Sequence, residues 1–462
     1  MNPQFRDSLF LTVILLGCLL VQAGRGQFLE SVIPVGDTPL DVIWNSTSNK
    51  VYTSNSQSGS VTVIDGATNE VIRTVAVAEY PVSLCWNSLN NKVYVTCGDP
   101  DWLYVIDGVG DTVINRVRMR GWPCTMAYNS TMNKLYVLCS DDRIVRVYDG
   151  AGDTLLAEVW FGDLNVPNAL LWHPVSNRVF CATAGDAEVD TVFVLDCTTD
   201  DIAERLPVGD QPCAMCWNPV NNLLYVDANG GIRVLTATGD SVVAIVAADA
   251  CDMCFAPYPN KIYAVTSGRT YVIDCDSQAV SESLLYGGFA AVSDTVHGRV
   301  YGSIYYTNSL YVFDARVDTF VRAIPLGQYP DRMCWNRANS RVYITDAMDD
   351  AVYVVRDTTT GITEPAITLP GQSTLIVASP NPFARAVDIQ CGTRLAPGAG
   401  VRVFSQAGRF VRRLVSDLTP PGHLATFAWD GKDQLGRRAP NGVYLAVVDG
   451  QAGVRTKLVK LD

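Results

Sequence analysis

Two Cys-x-x-Cys pairs, Cys213-Ala-Met-Cys216 and Cys251-Asp-Met-Cys254, have the spacing that most directly suggests chemistry, because two such pairs are the ligand set of a zinc site. Both pairs lie in runs that read as strands. Residues three apart on a strand point to opposite faces, so neither pair closes on one ion with regular geometry. A disulfide or metal link from Cys213 to Cys251, with Cys124 as a third member, is the arrangement left open. The histidines, His173, His297 and His423, fall in different repeats or domains, which argues against a histidine metal centre or a histidine-dependent triad. No Walker-type loop and no haem-attachment sequence is present. A third series is Asp65, Asp107, Asp149, Asp196, Asp274 and Asp314, each closing an apolar strand. Lys50, Lys92, Lys134, Arg178, Lys261 and Arg299 recur at the start of the preceding strand. A cross-strand ion pair in each unit, or a turn initiated by the aspartate, explains both series without catalysis. The residues therefore predict no catalytic group, no metal and no cofactor.

These residues recur because the elements that carry them recur. Runs ending in an aromatic, LDVIWN, VSLCWN, CTMAYN, NALLWH, CAMCWN, CDMCFA and DRMCWN, are joined by a weaker AAVSD near Val292. Each is followed by a second strand of the type NKVYVT, whose aromatics are Tyr52, Tyr94, Tyr136, Phe180, Tyr225, Tyr263, Tyr301 and Tyr343. Their spacings of 42, 42, 44, 45, 38, 38 and 42 define eight copies, those near Phe255 and Val292 being short. A third strand such as VTVID and a fourth such as VIRTVAV complete each unit. The strands are apolar on nearly every residue, so both faces must be buried. Four-stranded antiparallel blades packed face to face in a closed ring supply that burial, and the fold class is all-β: a β-propeller of about eight blades, with seven as the alternative. Ser31 to Gly36 reads as a fourth strand lacking its first three and is placed to close the ring, with Ile362 to Leu369 competing for the role.

The second strand, seen here as KVYVT, resembles the YVTN family of β-propeller repeats over roughly residues 30 to 368. That resemblance implies a cell-surface or secreted propeller, commonly of seven blades, and implies no particular activity. WD-type and kelch-type signatures are absent.

Strand direction alternates within a blade, so the loops joining strands four to one and two to three share a rim. The joining loops there read GDTP, AEYP, RGWP, GDQP, ADAC and GQYP. Asp37, Glu79, Tyr80, Trp122, Asp210, Asp249, Tyr329 and Asp331 are the candidate binding residues on that rim. Aromatics beside carboxylates on a rigid scaffold suit a protein, a peptide, a carbohydrate or a cationic group. The opposite rim carries NSTSNK-type turns, including Asn45-Ser-Thr and Asn129-Ser-Thr, which match the glycosylation pattern weakly.

Arg6 followed by the apolar run Leu9 to Val21 reads as a signal peptide over residues 1–26, with a lipoprotein-like Leu15-Leu16-Gly17-Cys18 as an alternative. A retained anchor helix is a further alternative, but no later run is long enough to span a bilayer. The propeller is expected over 27–370 and a small sandwich over 371–462. From Gly371 to Asp462 there are 12 basic and 6 acidic residues, against 23 and 41 upstream, within an overall net charge of −12. The sign change supports the boundary, and the acidic large part excludes nucleic acid as its partner. In the last part, Asn381-Pro382-Phe383, Gly408-Arg409, Trp429-Asp430-Gly431, Gly436, Pro440-Asn441-Gly442-Val443-Tyr444 and Lys457 resemble the Ig-like domain of flagellar hook-capping proteins and the C-terminal sorting domains of type IX secretion. The resemblance implies delivery to the exterior, with secretion machinery as a partner. A non-enzymatic binding or scaffold protein is the expected function. The alternative is a propeller hydrolase, lyase or quinoprotein oxidoreductase using the acidic rim.

Overall fold

The structure is a computed structural model that describes residues 26–358 apart from 164, 186–189 and 258–259, and, beyond them, residues 376–379, 385–391, 400–405, 410–415, 425–434, 436–448 and 455–460. The expected leader, the Cys18 box and the segment Ile362 to Leu369 lie outside the described residues. Among the described residues no helix is long and apolar enough to cross a membrane. The chain separates into two compact units, Met1–Thr359 and Thr360–Asp462.

Eight four-stranded antiparallel sheets make up the first unit. They are blade 1 (residues 39–76), blade 2 (79–118), blade 3 (123–160), blade 4 (165–207), blade 5 (215–246), blade 6 (252–284), blade 7 (290–325) and blade 8 (330–357), the last completed by Gln27–Pro34. Each first strand touches the first strand of the next blade, and that of blade 8 touches that of blade 1, so the eight blades close a ring around their first strands. The apolar pattern dictates this packing. Lys50–Asn55 and Ser60–Asp65, the middle strands of blade 1, are buried on nearly every residue, whereas the outer Val71–Ala76 is mostly exposed. Tyr52, Val61 and Val63 of blade 1 share a core with Leu84, Val93, Val95 and Ile106 of blade 2, and Val42, Val51 and Ile64 share another with Tyr343, Val352 and Val354 of blade 8. Ring closure falls to the N-terminal strand, as its sequence foretold: Gln27–Pro34 pairs antiparallel with Ala351–Asp357. Glu30 then bridges Arg341 at 2.5 Å and Arg356 at 3.0 Å.

The repeated aspartates and lysines take a different arrangement from the expected cross-strand pair. Lys50 does stand opposite Asp65, Lys92 opposite Asp107 and Lys134 opposite Asp149 in register. Their ammonium groups nevertheless cross to the next blade, to Asp111 at 2.6 Å, Asp153 at 2.9 Å and Asp200 at 2.7 Å, and Lys261 likewise reaches Asp318. The second-strand tyrosines donate to the same carboxylates, Tyr52 to Asp111 at 2.9 Å, Tyr94 to Asp153 at 2.8 Å, Tyr136 to Asp200 at 2.9 Å and Tyr263 to Asp318 at 2.7 Å. The strand-end aspartates are occupied by their own turns, Asp65 accepting from the Ala67 N–H at 2.7 Å, Asp107 from Gly110 at 2.7 Å and Asp149 from Gly152 at 2.6 Å. A lysine stem is long enough to leave its register neighbour for a carboxylate that is less than about a tenth exposed, where water competes less. Among the described residues the expected pair forms at Arg299, with Asp314; its neighbour blade 8 has no turn from a third to a fourth strand.

The second unit holds a three-stranded sheet, Ile376–Ser379, Val387–Cys391 and Ala425–Trp429, and a four-stranded sheet in the order Phe410–Val415, Gly400–Ser405, Gly442–Val448, Arg455–Lys460. Val387, Ile389, Phe427 and Trp429 of the first share one core with Val401, Val403, Leu414, Tyr444, Ala446 and Leu458 of the second. Asn381-Pro382-Phe383 and Gly408-Arg409 lie outside the described residues.

Candidate functional site

On the rim formed by the two-to-three and four-to-one loops, the most developed grouping stands over blades 7 and 8. Ser309 begins the third strand of blade 7, and the short 3-10 turn Tyr305–Thr307 before it lifts two consecutive tyrosines out of the sheet. Tyr305 stacks on Phe289 at 4.6 Å between ring centroids and on Tyr329 at 4.6 Å, both nearly parallel. Tyr306 lies 4.2 Å from Tyr305 and edge-on to Phe289 at 5.5 Å, and is 66% exposed. The Tyr305 hydroxyl donates to that of Tyr306 at 2.8 Å. Four rings from three loops thus form one array, of which the sequence had singled out only Tyr329.

Carboxylates border the array. The Tyr329 N–H donates to both oxygens of Asp346, at 3.1 and 3.0 Å, and the Tyr353 hydroxyl donates to Asp349 at 2.7 Å. Burial pushes the Asp346 carboxyl up, and Asp349 adds to that rise. Gly327 makes the approach feasible, because a Cβ there would stand 2.2 Å from Asp349 and 2.3 Å from Asp346. Asp331, half-buried, has its carboxyl raised by burial, and its carbonyl accepts from Ser303 at 2.6 Å.

The other predicted rim residues stand at separate corners. Asp37 is exposed at the entry to blade 1, Glu79 and Tyr80 at blade 2, Trp122 at blade 3, Asp210 at blade 5 and Asp249 at blade 6. Tyr80 and Trp122 each precede a proline with positive φ, 52° and 53°, a conformation that is strained for an aromatic residue. The Trp122 ring is laid across Gly98, where a Cβ would come within 2.9 Å of it.

Inside the ring the first strands carry further polar residues. Asp41 accepts from the Leu84 N–H of blade 2 at 2.8 Å, and Asp252 from the Ala291 N–H of blade 7 at 2.9 Å. Burial raises both carboxyls, and the positive charge of Arg332 opposes the rise at each. The signal for them was a charged residue within an otherwise apolar inner strand, as in LDVIW, CDMCF and DRMCW. The cysteine pairs are split as strand geometry demands: Cys213 and Cys251 are exposed, Cys216 and Cys254 buried, and the cysteines from Cys85 to Cys334 are free thiols. Burial holds the Cys213 thiol up at about 12, helped by Asp227. Asn45 and Asn129 are fully buried, which removes them as glycosylation acceptors. Among the described residues one group of three, Asp294, His297 and Asp357, brings its ligand atoms within 4.8 Å of one another.

No family model matches the chain, and no curated protein matches it. Among solved structures, the chain is similar to the hydrazine synthase of Kuenenia stuttgartiensis, with a TM-score of 0.51 at 16% identity over 71% of this chain and 97% of that one. It is likewise similar to the β-propeller domain of Cps50 (Swd1) from Myceliophteria thermophila, with a TM-score of 0.52 at 11% identity over 72% of this chain and all of that domain. The large unit is a β-propeller. At such identities the likeness is one of fold, and what the propeller does has to come from its own rim.

Proposed function

We propose that the protein is a secreted or cell-surface propeller that binds, without catalysis, a basic peptide segment of a partner protein on the rim over blades 7 and 8. The observation that carries this reading is the array of Phe289, Tyr305, Tyr306 and Tyr329, half-buried but for the exposed Tyr306, with the exposed carboxylate of Asp349 beside it and the buried Asp346 holding Tyr329 in place. A Lys or Arg side chain laid on an exposed ring gains about 0.5–1 kcal/mol from the ring quadrupole. An acidic rim raises the local concentration of a basic ligand, and a rigid β scaffold holds the rings without an ordering cost. A neutral sugar could stack on the rings and donate to the carboxylate, but gains none of the charge attraction that an acidic rim offers a basic peptide. Placement at the exterior draws on the resemblance to YVTN propellers and to hook-capping and sorting domains, with the C-terminal unit as the attachment module.

The test is to present arrays of Lys- and Arg-bearing peptides and of glycans to the full chain and to a Tyr306→Ala, Tyr329→Ala variant. Binding of basic peptides that weakens at least about tenfold in the variant and falls with salt is expected. Binding of glycans alone, or of neither, overturns the reading. Export of a chain ending at Leu369 unchanged from that of the full chain would likewise overturn the sorting role.

A second reading, an enzyme acting through the acidic rim, has one observation in its favour: Asp41, Asp252 and Asp331 are raised by burial around Arg332. Asp41 and Asp252 already serve as struts for backbone N–H groups of the next blade, which favours the binding reading. A bound chromophore in the absorbance spectrum of the purified protein would reverse that preference.

A further inference from the structure

The propeller is acidic, yet the outer strand of blade 2, Thr112–Arg118, ends in a run of alternating arginines, Arg116, Arg118 and, just past the strand, Arg120. All three are exposed, and none forms an ion pair among the described residues. Alternation sorts the side chains of this strand by face. Asn115 donates to Asp153 of blade 3 at 3.2 Å and Val117 packs into the core shared with blade 3. Arg116 and Arg118 stand on the other face, opposite Tyr104 and Trp102 in register, and those two rings pack into the core shared with blade 1. Both guanidinium groups lie over the Trp102 ring, each 5.2 Å from its centroid, which holds the two charges in place. The ring on which a sugar would stack is thereby covered.

Thr112–Arg118 is also a sheet edge. It comes last in the strand order of blade 2, after Glu79–Asn87, Lys92–Asp99 and Asp101–Asp107, and among the described residues no strand pairs beyond it. Such an edge offers a row of backbone N–H and C=O groups to an incoming strand, and a charge placed on it deters pairing with a second copy. The outer strands of blades 1 and 3 each carry one charge, and the fold answers both: Arg73 donates to the Asp111 carbonyl at 3.3 Å, and Glu158 pairs with Arg146 at 2.7 Å. The arginines of blade 2 are left unanswered and are all of one sign. Like charges directly opposite destabilise a strand pair and opposite charges stabilise it, so this edge rejects basic strands and favours acidic ones.

We propose that an extended acidic segment of a partner protein adds to blade 2 as a fifth strand, its alternate Asp or Glu side chains meeting Arg116 and Arg118. Residues two apart in a strand are separated by about 7 Å, so the charges of the two strands stay in step. The surface shares no residue with the aromatic array over blades 7 and 8 and stands independently of it.

The probe is a fluorescein-labelled peptide with Glu at every second position among Thr and Val, titrated into the full chain and followed by anisotropy. Saturable binding that weakens with salt is expected, reduced at least about tenfold in the doubly reversed Arg116→Glu, Arg118→Glu chain and unchanged in Tyr306→Ala, Tyr329→Ala. A second measurement needs only the wild-type chain. The same peptide N-methylated at alternate residues along its pairing edge keeps its charge and loses its backbone donors, so it should bind at least about tenfold more weakly. No binding of the alternating peptide at low salt would overturn the proposal, as would equal binding of a peptide of the same composition with its glutamates in one block. Binding of polygalacturonate in place of the peptide would overturn it in favour of an anionic polysaccharide.

Discussion

At the residue scale the recurrent unit is a three-part latch: a tyrosine hydroxyl and a lysine from one blade share one aspartate in the next. For the blade 2 to blade 3 latch, Tyr94→Phe removes one hydrogen bond and leaves Asp153 with Lys92, so a loss of about 1–2 kcal/mol is expected in denaturant unfolding. Asp153→Ala strands both the buried hydroxyl and the lysine and should cost about 3 kcal/mol or more. If the two changes cost the same, the shared-acceptor account is wrong. Blade 4 shows how the latch is replaced when its tyrosine is missing. Phe180 has no hydroxyl, and the facing turn of blade 5 offers Gly239 at φ +67°, where a Cβ would meet the Phe180 ring at 2.7 Å and Val194 at 2.6 Å. Gly239→Ala should therefore destabilise by about 2 kcal/mol, through overpacking and an unfavourable left-handed alanine together, and a neutral result in thermal unfolding would refute that account.

At the element scale, the amount legible in the sequence followed from how local each determinant is. The second-strand aromatics from Tyr52 to Tyr343 marked eight blades because every blade needs one large buried side chain there, and Ser31 to Gly36 read as a closing strand because its pattern matched a fourth strand without partners. The destination of Lys50 was not legible: register places Asp65 opposite it, and only the wedge of two blades brings Asp111 nearer to its ammonium group. The aromatic array was hidden for the same reason, since Phe289, Tyr305 and Tyr329 come from three loops, and the consecutive tyrosines Tyr305 and Tyr306 in a rim loop were the one local signal. Gly327 belongs with them. Gly327→Ala should displace Asp346 and Asp349 and with them Tyr329, lowering binding at the rim while leaving the midpoint of unfolding within a few degrees; unaltered binding would separate the array from its acidic support. The closing strand supplies its own test. Deleting residues through Pro34 bares the edge of Ala351–Asp357, and the truncated chain should unfold earlier and aggregate with rising concentration, as light scattering would show.

At the scale of the whole propeller, burial of acids inside the ring sets how stability depends on pH. Asp41, Asp227, Asp252, Asp331 and Asp346 all have their carboxyls raised, in each case foremost by burial. Arg332 faces Asp41, Asp252 and Asp331 and opposes the rise; Asp331 adds to it at Asp252, Asp249 at Asp227, and Asp349 at Asp346. A raised folded pKa means that the folded state takes up protons before the unfolded state does. Stability contributed by such a group grows as pH falls through its folded value and stops growing near the unfolded value, about 4. Glu30 opposes this trend: burial pushes it up, but Arg341 and Arg356 outweigh burial and hold it below the usual range, so its contribution is present above about 4 and lost as pH falls through its folded value. Asp196 and Asp274, held low mainly by backbone N–H groups of their turns, behave as Glu30 does. The propeller should therefore melt at its highest temperature in mild acid, above the ordinary carboxylate range and below neutrality, and lose stability steeply below about pH 4 as the closing strand releases its arginines. Asp252→Asn should flatten the rise between neutrality and mild acid, because an amide keeps the shape and removes the titration. A midpoint that falls steadily from pH 7 downward would show that the buried carboxyls are not the controlling groups.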